Sequence, residues 1–250
     1  MTGMAESRYR EFLERQAESH LRMATGQGPE MFSARSLARR LGELAADRPL
    51  ATILDVGCGA GHYLRTLRQV LPFPFRYVGL DYNVPHLRNG RLAFPEVPFV
   101  QGDINALPFG DRSFDAVICD NTLTQLPPPP DRALGELVRV ARRILLLRTE
   151  MAPVNYVIRV LPEQLPEGAT PEEFFREAGF GHNRNMYSPA YLRRVAQAAD
   201  PDAQVEVVPD LDYGEFPPSD NPLATRLHHG LKLSGSLVQD QSFLVVRRRD

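Results

Sequence analysis

Residues 53–62 read Ile53-Leu54-Asp55-Val56-Gly57-Cys58-Gly59-Ala60-Gly61-His62, an apolar run that enters a glycine loop and leaves it as a helix. Glycines let a ligand approach bare backbone, and the helix start adds free N–H donors and a partial positive charge. The spacing matters. A dinucleotide fingerprint is G-x-G-x-x-G with the pyrophosphate on the helix. Here the third glycine comes one residue early, and an acid, Asp55, stands just before the loop. Nicotinamide-dependent oxidation is therefore disfavoured.

Outward from this loop the hydrophobic period keeps switching between two and 3.6. Ala51–Val56 reads as a strand, His62–Leu71 as a helix and Arg76–Leu80 as a strand. Val84–Ala93 follows as a helix, Pro98–Gln101 and Phe114–Cys119 as strands, Asp131–Arg142 as a helix and Arg143–Leu147 as a strand. Such alternation predicts an α/β fold with a parallel sheet covered on both faces. Two amphipathic helices precede it. One carries Tyr9, Phe12, Leu13, Ala17, Leu21 and Ala24, the other Leu37, Leu41 and Leu44 after an expected cap at Ser33. Downstream, Thr170-Pro171-Glu172-Glu173 is a capping box ending at Gly179, and Ser188-Pro189 opens a further helix. Gln204–Val208 and Ser242–Arg247 read as closing strands. One domain over 1–250 is expected, with a helical extension or lid at 1–47, a core at 51–148, and a substrate-facing insertion with closing strands at 149–250.

Composition narrows the function. The 250 residues carry 29 Lys and Arg against 31 Asp and Glu, a net charge of −2, so nothing favours binding a phosphate backbone. No stretch approaches the roughly 20 apolar residues of a membrane span. A cytoplasmic protein with small-molecule partners is expected, without membrane attachment. Cys58 and Cys119 form no zinc spacing and are expected to stay reduced, and no metal site is read.

Four ordered marks carry a resemblance. Asp55 with Gly57, Gly59 and Gly61 is the first; Asp81, followed by Tyr82 at the end of the next strand, is the second; Asp103-Ile104 after the third strand is the next. Leu107-Pro108-Phe109 with Ser113-Phe114-Asp115 through Asp120 completes the series. Together they resemble the class I S-adenosylmethionine-dependent methyltransferases of the small-molecule type. The resemblance implies a Rossmann-like, seven-stranded, mainly parallel sheet with its last strand antiparallel. It also implies S-adenosyl-L-methionine as cofactor. The loop would lie beneath the carboxypropyl part, Asp55 would help hold the amino group, Asp81 the ribose hydroxyls, Asp103 and the Ile104 N–H the adenine, and Asp120 would face the methionine end. Asp115 is expected to be structural.

The sequence departs from the family where a Pro-Gly-Gly turn usually precedes the fifth strand: Val140-Ala141-Arg142-Arg143 runs straight on. No catalytic base is assigned. Gln125 stands where similar small-molecule enzymes often carry histidine and cannot serve, while His62 and His86 are expected as surface or capping residues. The Asn/Asp-Pro-Pro-aromatic signature of nucleic-acid methylation is absent, since Thr122 follows Asp120-Asn121. Acceptor contacts are assigned to Met151, Tyr156 and Tyr187 in the irregular region. The expected activity is methyl transfer to a small acceptor. Methylation of protein or RNA, and an inactive cofactor-binding partner subunit, are the alternatives, and oligomeric state is open.

Overall fold

The computed structural model describes residues 17–161, 168, 170–176, 182–210, 226–228, 231–234 and 237–248, with side chains left out at 174–176, 182, 226–228, 231–234 and 237–240. Tyr9, Phe12, Leu13, Gly179 and His229 lie outside these residues. A first helix, α1, is described over residues 17–24. There follow α2 (Phe32–Leu44), β1 (Thr52–Val56), α3 (His62–Val70), β2 (Arg76–Asp81), α4 (Val84–Ala93), β3 (Phe99–Gln101) and β4 (Phe114–Asp120). The chain continues through α5 (Asp131–Val140), β5 (Ala141–Met151), β6 (Arg159–Val160), α6 (Pro171–Arg176), β7 (His182–Asn183), α7 (Pro189–Ala199) and β8 (Gln204–Pro209). It closes with β9 (Arg226–His228), β10 (Leu231–Ser234) and β11 (Leu237–Arg247).

Seven strands build the expected sheet, in the order β3-β2-β1-β4-β5-β11-β8. The first five are parallel. β11 runs antiparallel between β5 and β8, so the last strand is the reversed one. β9 and β10 add a short hairpin beyond it. Alternate residues of each central strand face opposite layers, which is why both faces read as apolar. Ile53, Ala116, Ile118, Ile144, Leu146 and Phe243 meet α2 and α3. Leu54, Val56, Val117, Leu145, Leu147 and Leu244 meet α5 and α7.

Strand order reverses between β1 and β4, and open α/β sheets bind ligands in the crevice at such a switch point. The carboxyl ends of β1, β2, β3 and β4 all meet there. At the opposite edge, Asp115 receives the N–H groups of Ala51 and Thr52 at 2.9 and 3.1 Å and pairs with Arg142. That is the structural role expected of it.

Two boundaries differ from the sequence reading. α5 stops at Val140 and β5 begins at once, running on to Met151. Arg142, which read as helix, anchors this strand start on Asp115 and the Arg112 carbonyl, beside Arg143, read as strand, on the Arg48 and Pro49 carbonyls. Ser33 is no cap; α2 starts one residue earlier, after Met31, and the Ser33 hydroxyl bonds Tyr63. The capping box at Thr170 and Glu173 forms reciprocally, and Ser188 caps α7 through the Tyr191 N–H.

Candidate functional site

The glycine loop is pinned to the end of β2, with the Gly57 and Cys58 N–H groups both donating to the Leu80 carbonyl. All three loop glycines have positive φ, at 79°, 56° and 72°, where a side chain would be strained. Their spaces differ. A Cβ on Gly57 would stand 2.0 Å from Thr122 Oγ1, beyond β4; one on Gly61 would stand 2.8 Å from the Phe99 ring in the core. Gly59 faces neither, but the crevice. A Cβ there would stand 2.5 Å from His20 Nδ1 of α1.

Asp81 closes the crevice on the β2 side. It accepts the Gly59 N–H at 2.8 Å on one oxygen and the Asn83 N–H at 2.8 Å on the other. A carboxylate offers about four lone-pair sites, so each oxygen keeps capacity for a further donor. Burial opposes its charge, but the neighbouring His86 and these two N–H groups hold the carboxyl below its usual range. Tyr82 is 78% exposed beside it, and Asp103 is exposed two residues past β3, taking the Asn105 N–H and side-chain amide on Oδ1.

Asp55 lies under the loop, where the Tyr77 hydroxyl donates to it at 2.6 Å. Burial pushes its carboxyl up to about 7; Asp120 and Asp81 add to the rise, and the Tyr77 bond opposes it. Three carboxylates thus converge at the ends of β1, β2 and β4, an arrangement that favours a cationic ligand group. The chemistry of these donors and the bare backbone of Gly59 fit a nucleoside carrying a cationic tail.

Above Gly59 the structure gathers residues that the sequence reading kept apart. The rings of His20, His62 and His86 pack as a tilted cluster, with centroids 4.5 Å apart for the first pair and 4.8 Å for His20 and His86. His86 is only 5% exposed, with Nδ1 3.8 Å from Asp81, so it is a site residue and not a surface cap. Burial and the neighbouring imidazoles lower His20 to about 4 and His62 to about 3. Among the described residues no group of three or more such side chains is set to hold a metal ion.

On the β4–β5 side a second polar assembly appears. Ser33 Oγ donates to Tyr63 Oη, which donates to Asp120 Oδ2, both at 2.6 Å. Asp120 Oδ1 accepts from Arg148 Nη1 at 3.0 Å, Arg148 Nε donates to Asp210 at 2.6 Å, and Ser36 donates to the other Asp210 oxygen. Burial works against the Arg148 charge, and Asp120 with Asp210 more than offsets it. Tyr63, Arg148, Asp210 and Ser36 escaped the sequence reading, and Ser33 was read as a helix cap. A lone arginine ending the apolar run Ile144–Leu147 was the one signal for them.

Of the residues assigned to the acceptor, Met151 bridges to Tyr187, and Tyr156 pairs with Met186 through backbone bonds of 2.8 and 3.0 Å. The structure brings the three into one neighbourhood. Met151 and Tyr187 are buried in the layer shared with α5 and α7.

Residues 54–144 match the family model of a methyltransferase domain. The chain is 40% identical over 101 residues to demethylmenaquinone methyltransferase of Roseiflexus castenholzii, covering 40% of this chain and 42% of that one. It is 36% identical over 118 residues to phthiotriol/phenolphthiotriol dimycocerosates methyltransferase 1 of Mycobacterium ulcerans, covering 46% and 41%. It thus spans about two fifths of the length of these curated relatives. The N-terminal domain of EvdMO1, crystallised in the presence of SAH and D-fucose, shares the fold at TM-score 0.56 and 20% identity over 89% of this chain and 85% of that one. DesVI of Streptomyces venezuelae does so at 0.54 and 16%, over 86% and 92%.

Proposed function

We propose, on the premise that this chain carries a class I S-adenosylmethionine-dependent methyltransferase domain, that it transfers a methyl group from S-adenosylmethionine to a small-molecule acceptor. The observation that carries the reading is the pairing of Gly59, bare toward the crevice, with Asp81, whose two oxygens hold the loop and the α4 entry in place. Asp81 would hold the ribose hydroxyls, Tyr82 an adenine face, and Asp103 with the Ile104 N–H the adenine edge. Gly57, Gly59 and Gly61 let the tail approach backbone, and Asp55 and Asp120 supply negative charge at its cationic end.

When bound, the cofactor supplies a methyl carbon already activated on a sulfonium. The chain's own contribution is alignment and field. Holding two reactants in line offsets roughly 7–11 kcal/mol of barrier in well-oriented systems, so no strong base is needed for a nucleophile that carries no proton. Burial holds the Asp55 carboxyl up at about 7, and a cationic ligand group nearby would favour its charged form. The names of the two relatives, a quinone-pathway and a lipid methyltransferase, support a small and apolar acceptor. Met151, Tyr156 and Tyr187 remain the acceptor-side residues of this proposal, and the cytoplasm its place of action. Among the described residues no helix is long and apolar enough to cross a membrane.

Calorimetry tests this reading. S-adenosylhomocysteine should bind the wild type and NAD should not, and Asp81→Ala should abolish most of the signal while remaining folded. Binding of NAD alone would overturn it. Screening metabolite extracts for a mass gain of one methyl then identifies the acceptor.

A further inference from the structure

We infer that His20 is an affinity-setting residue of the cofactor crevice: its ring occupies the space that the cofactor's ribose and tail require, so binding displaces α1 rather than closing it. This rests on the methyltransferase reading above. Three observations support it. Gly59 is the loop glycine whose missing side chain faces the crevice, and the atom nearest to a Cβ there is His20 Nδ1, at 2.5 Å. The same ring packs at a tilt against His86 at 4.8 Å, and His86 stands 3.8 Å from the Asp81 carboxylate, so His20 touches both walls of the groove. Nδ1 of His20, Nδ1 of His62 and Nε2 of His86 are buried without a hydrogen-bond partner among the described residues, while His86 Nδ1 faces Asp81. Buried imidazoles normally satisfy their donors and acceptors. A packing that leaves three ring nitrogens bare is one that a polar ligand improves.

The attachment of α1 suits displacement. Among the described residues its fully buried side chains are small, Ala17 and Ala24, with His20, Leu21 and Met23 half-buried and the Ala17 carbonyl accepting from Asn89 Nδ2 at 2.9 Å. The helix ends in a turn through Gly26 at φ 78°, after which the chain enters α2. Ala17 and Ala24 bury little apolar surface compared with the leucines of α2, so α1 costs less to lift than α2. A ligand that binds only the open form has its apparent dissociation constant raised in inverse proportion to the open fraction. Removing the ring removes that handicap.

The test is titration of S-adenosylhomocysteine into wild type, His20→Ala and His20→Phe, with stopped-flow association rates. His20→Ala should bind at least about five-fold tighter and associate faster, as expected when a closed form of about 80% is relieved. His20→Phe, which keeps a ring of similar size, should bind no tighter than wild type. Hydrogen exchange in residues 17–25 of the wild type should speed up when the ligand is added. Equal or weaker binding by a folded His20→Ala, or slowed exchange in 17–25, overturns the inference and leaves the methyltransferase reading standing. If His20→Ala does not fold, the exchange measurement on wild type decides alone. If neither wild type nor His20→Ala binds the ligand, the cofactor reading itself falls and this inference falls with it.

Discussion

Two polar assemblies sit side by side at the carboxyl edge of the sheet, and they differ in how their groups are partnered. The β1–β2 side, with Gly59, Asp81, His20, His62 and His86, holds buried ring nitrogens without partners among the described residues. The β4–β5 side runs Ser33, Tyr63, Asp120, Arg148, Asp210 and Ser36 through consecutive hydrogen bonds of ordinary or short length. Polar groups that satisfy one another brace a fold, whereas polar groups left facing one another await something else. On the proposed reading, the contrast separates a support from a binding surface within a single layer of the molecule.

The largest effect is expected on the brace. Removing one partner of a buried ion pair costs about 3–5 kcal/mol, because the other charges stay buried without it. Arg148→Ala, leaving Asp120 and Asp210 together, should therefore lose that much stability in urea denaturation. A loss under about 1 kcal/mol would break the comparison, since it would mean the assembly carries no fold energy.

Next comes the crevice. Asp81→Ala should weaken S-adenosylhomocysteine binding by roughly 1.5–3 kcal/mol, the range for hydrogen bonds to a charged group, with a smaller change in folding stability than Arg148→Ala. Calorimetry paired with urea melts measures both. An unchanged dissociation constant would remove Asp81 from the site.

A pH effect follows at similar size. His20 is lowered to about 4 from 6.5, so its contribution to folding is full above pH 6.5 and is lost as pH falls toward 4. The stability gap between wild type and His20→Ala should shrink by about 1–2 kcal/mol between pH 7.5 and pH 5. Asp55 acts with the reverse sign: raised to about 7, it favours the protonated folded form, and its contribution declines as pH rises from 3.8 to 7. A gap that widens on acidification would contradict the neutral packing of His20.

The smallest effect belongs to Asp103, which is exposed and already bonded to Asn105. Asp103→Ala should cost about 0.5–1.5 kcal/mol of cofactor affinity. It should leave binding of a ligand lacking the adenine amino group unchanged, which a competition titration reads directly.

How much of this was legible in the sequence follows the same division. The alternation of strands and helices and the strand-end acids Asp55, Asp81, Asp103 and Asp120 were readable, because hydrophobic period, glycine spacing and strand-end acids are local signals, whereas the reversed last strand came with the family resemblance. Asp115 could be separated from the site acids because it stands at the start of its strand, away from the edge where ligands bind. The brace was not readable, since Ser36, Arg148 and Asp210 are brought together only by the sheet order, across up to 174 positions of sequence. Arg148 in particular reads as the end of a strand, whereas its two carboxylate partners let β5 continue to Met151. His62 and His86 looked like helix-start residues on local grounds. Only the docking of α1, which places His20 against both, turns them into one cluster.

The claim that the β1–β2 edge binds the cofactor while the β4–β5 assembly supports it is tested most directly by mapping hydrogen exchange with and without S-adenosylhomocysteine. The account predicts that protection appears at residues 57–61, 82–83 and 104–105, and that exchange along 144–150 and 241–247 is unchanged. Protection confined to 144–150 and 241–247, with the glycine loop unaffected at saturating ligand, would contradict it.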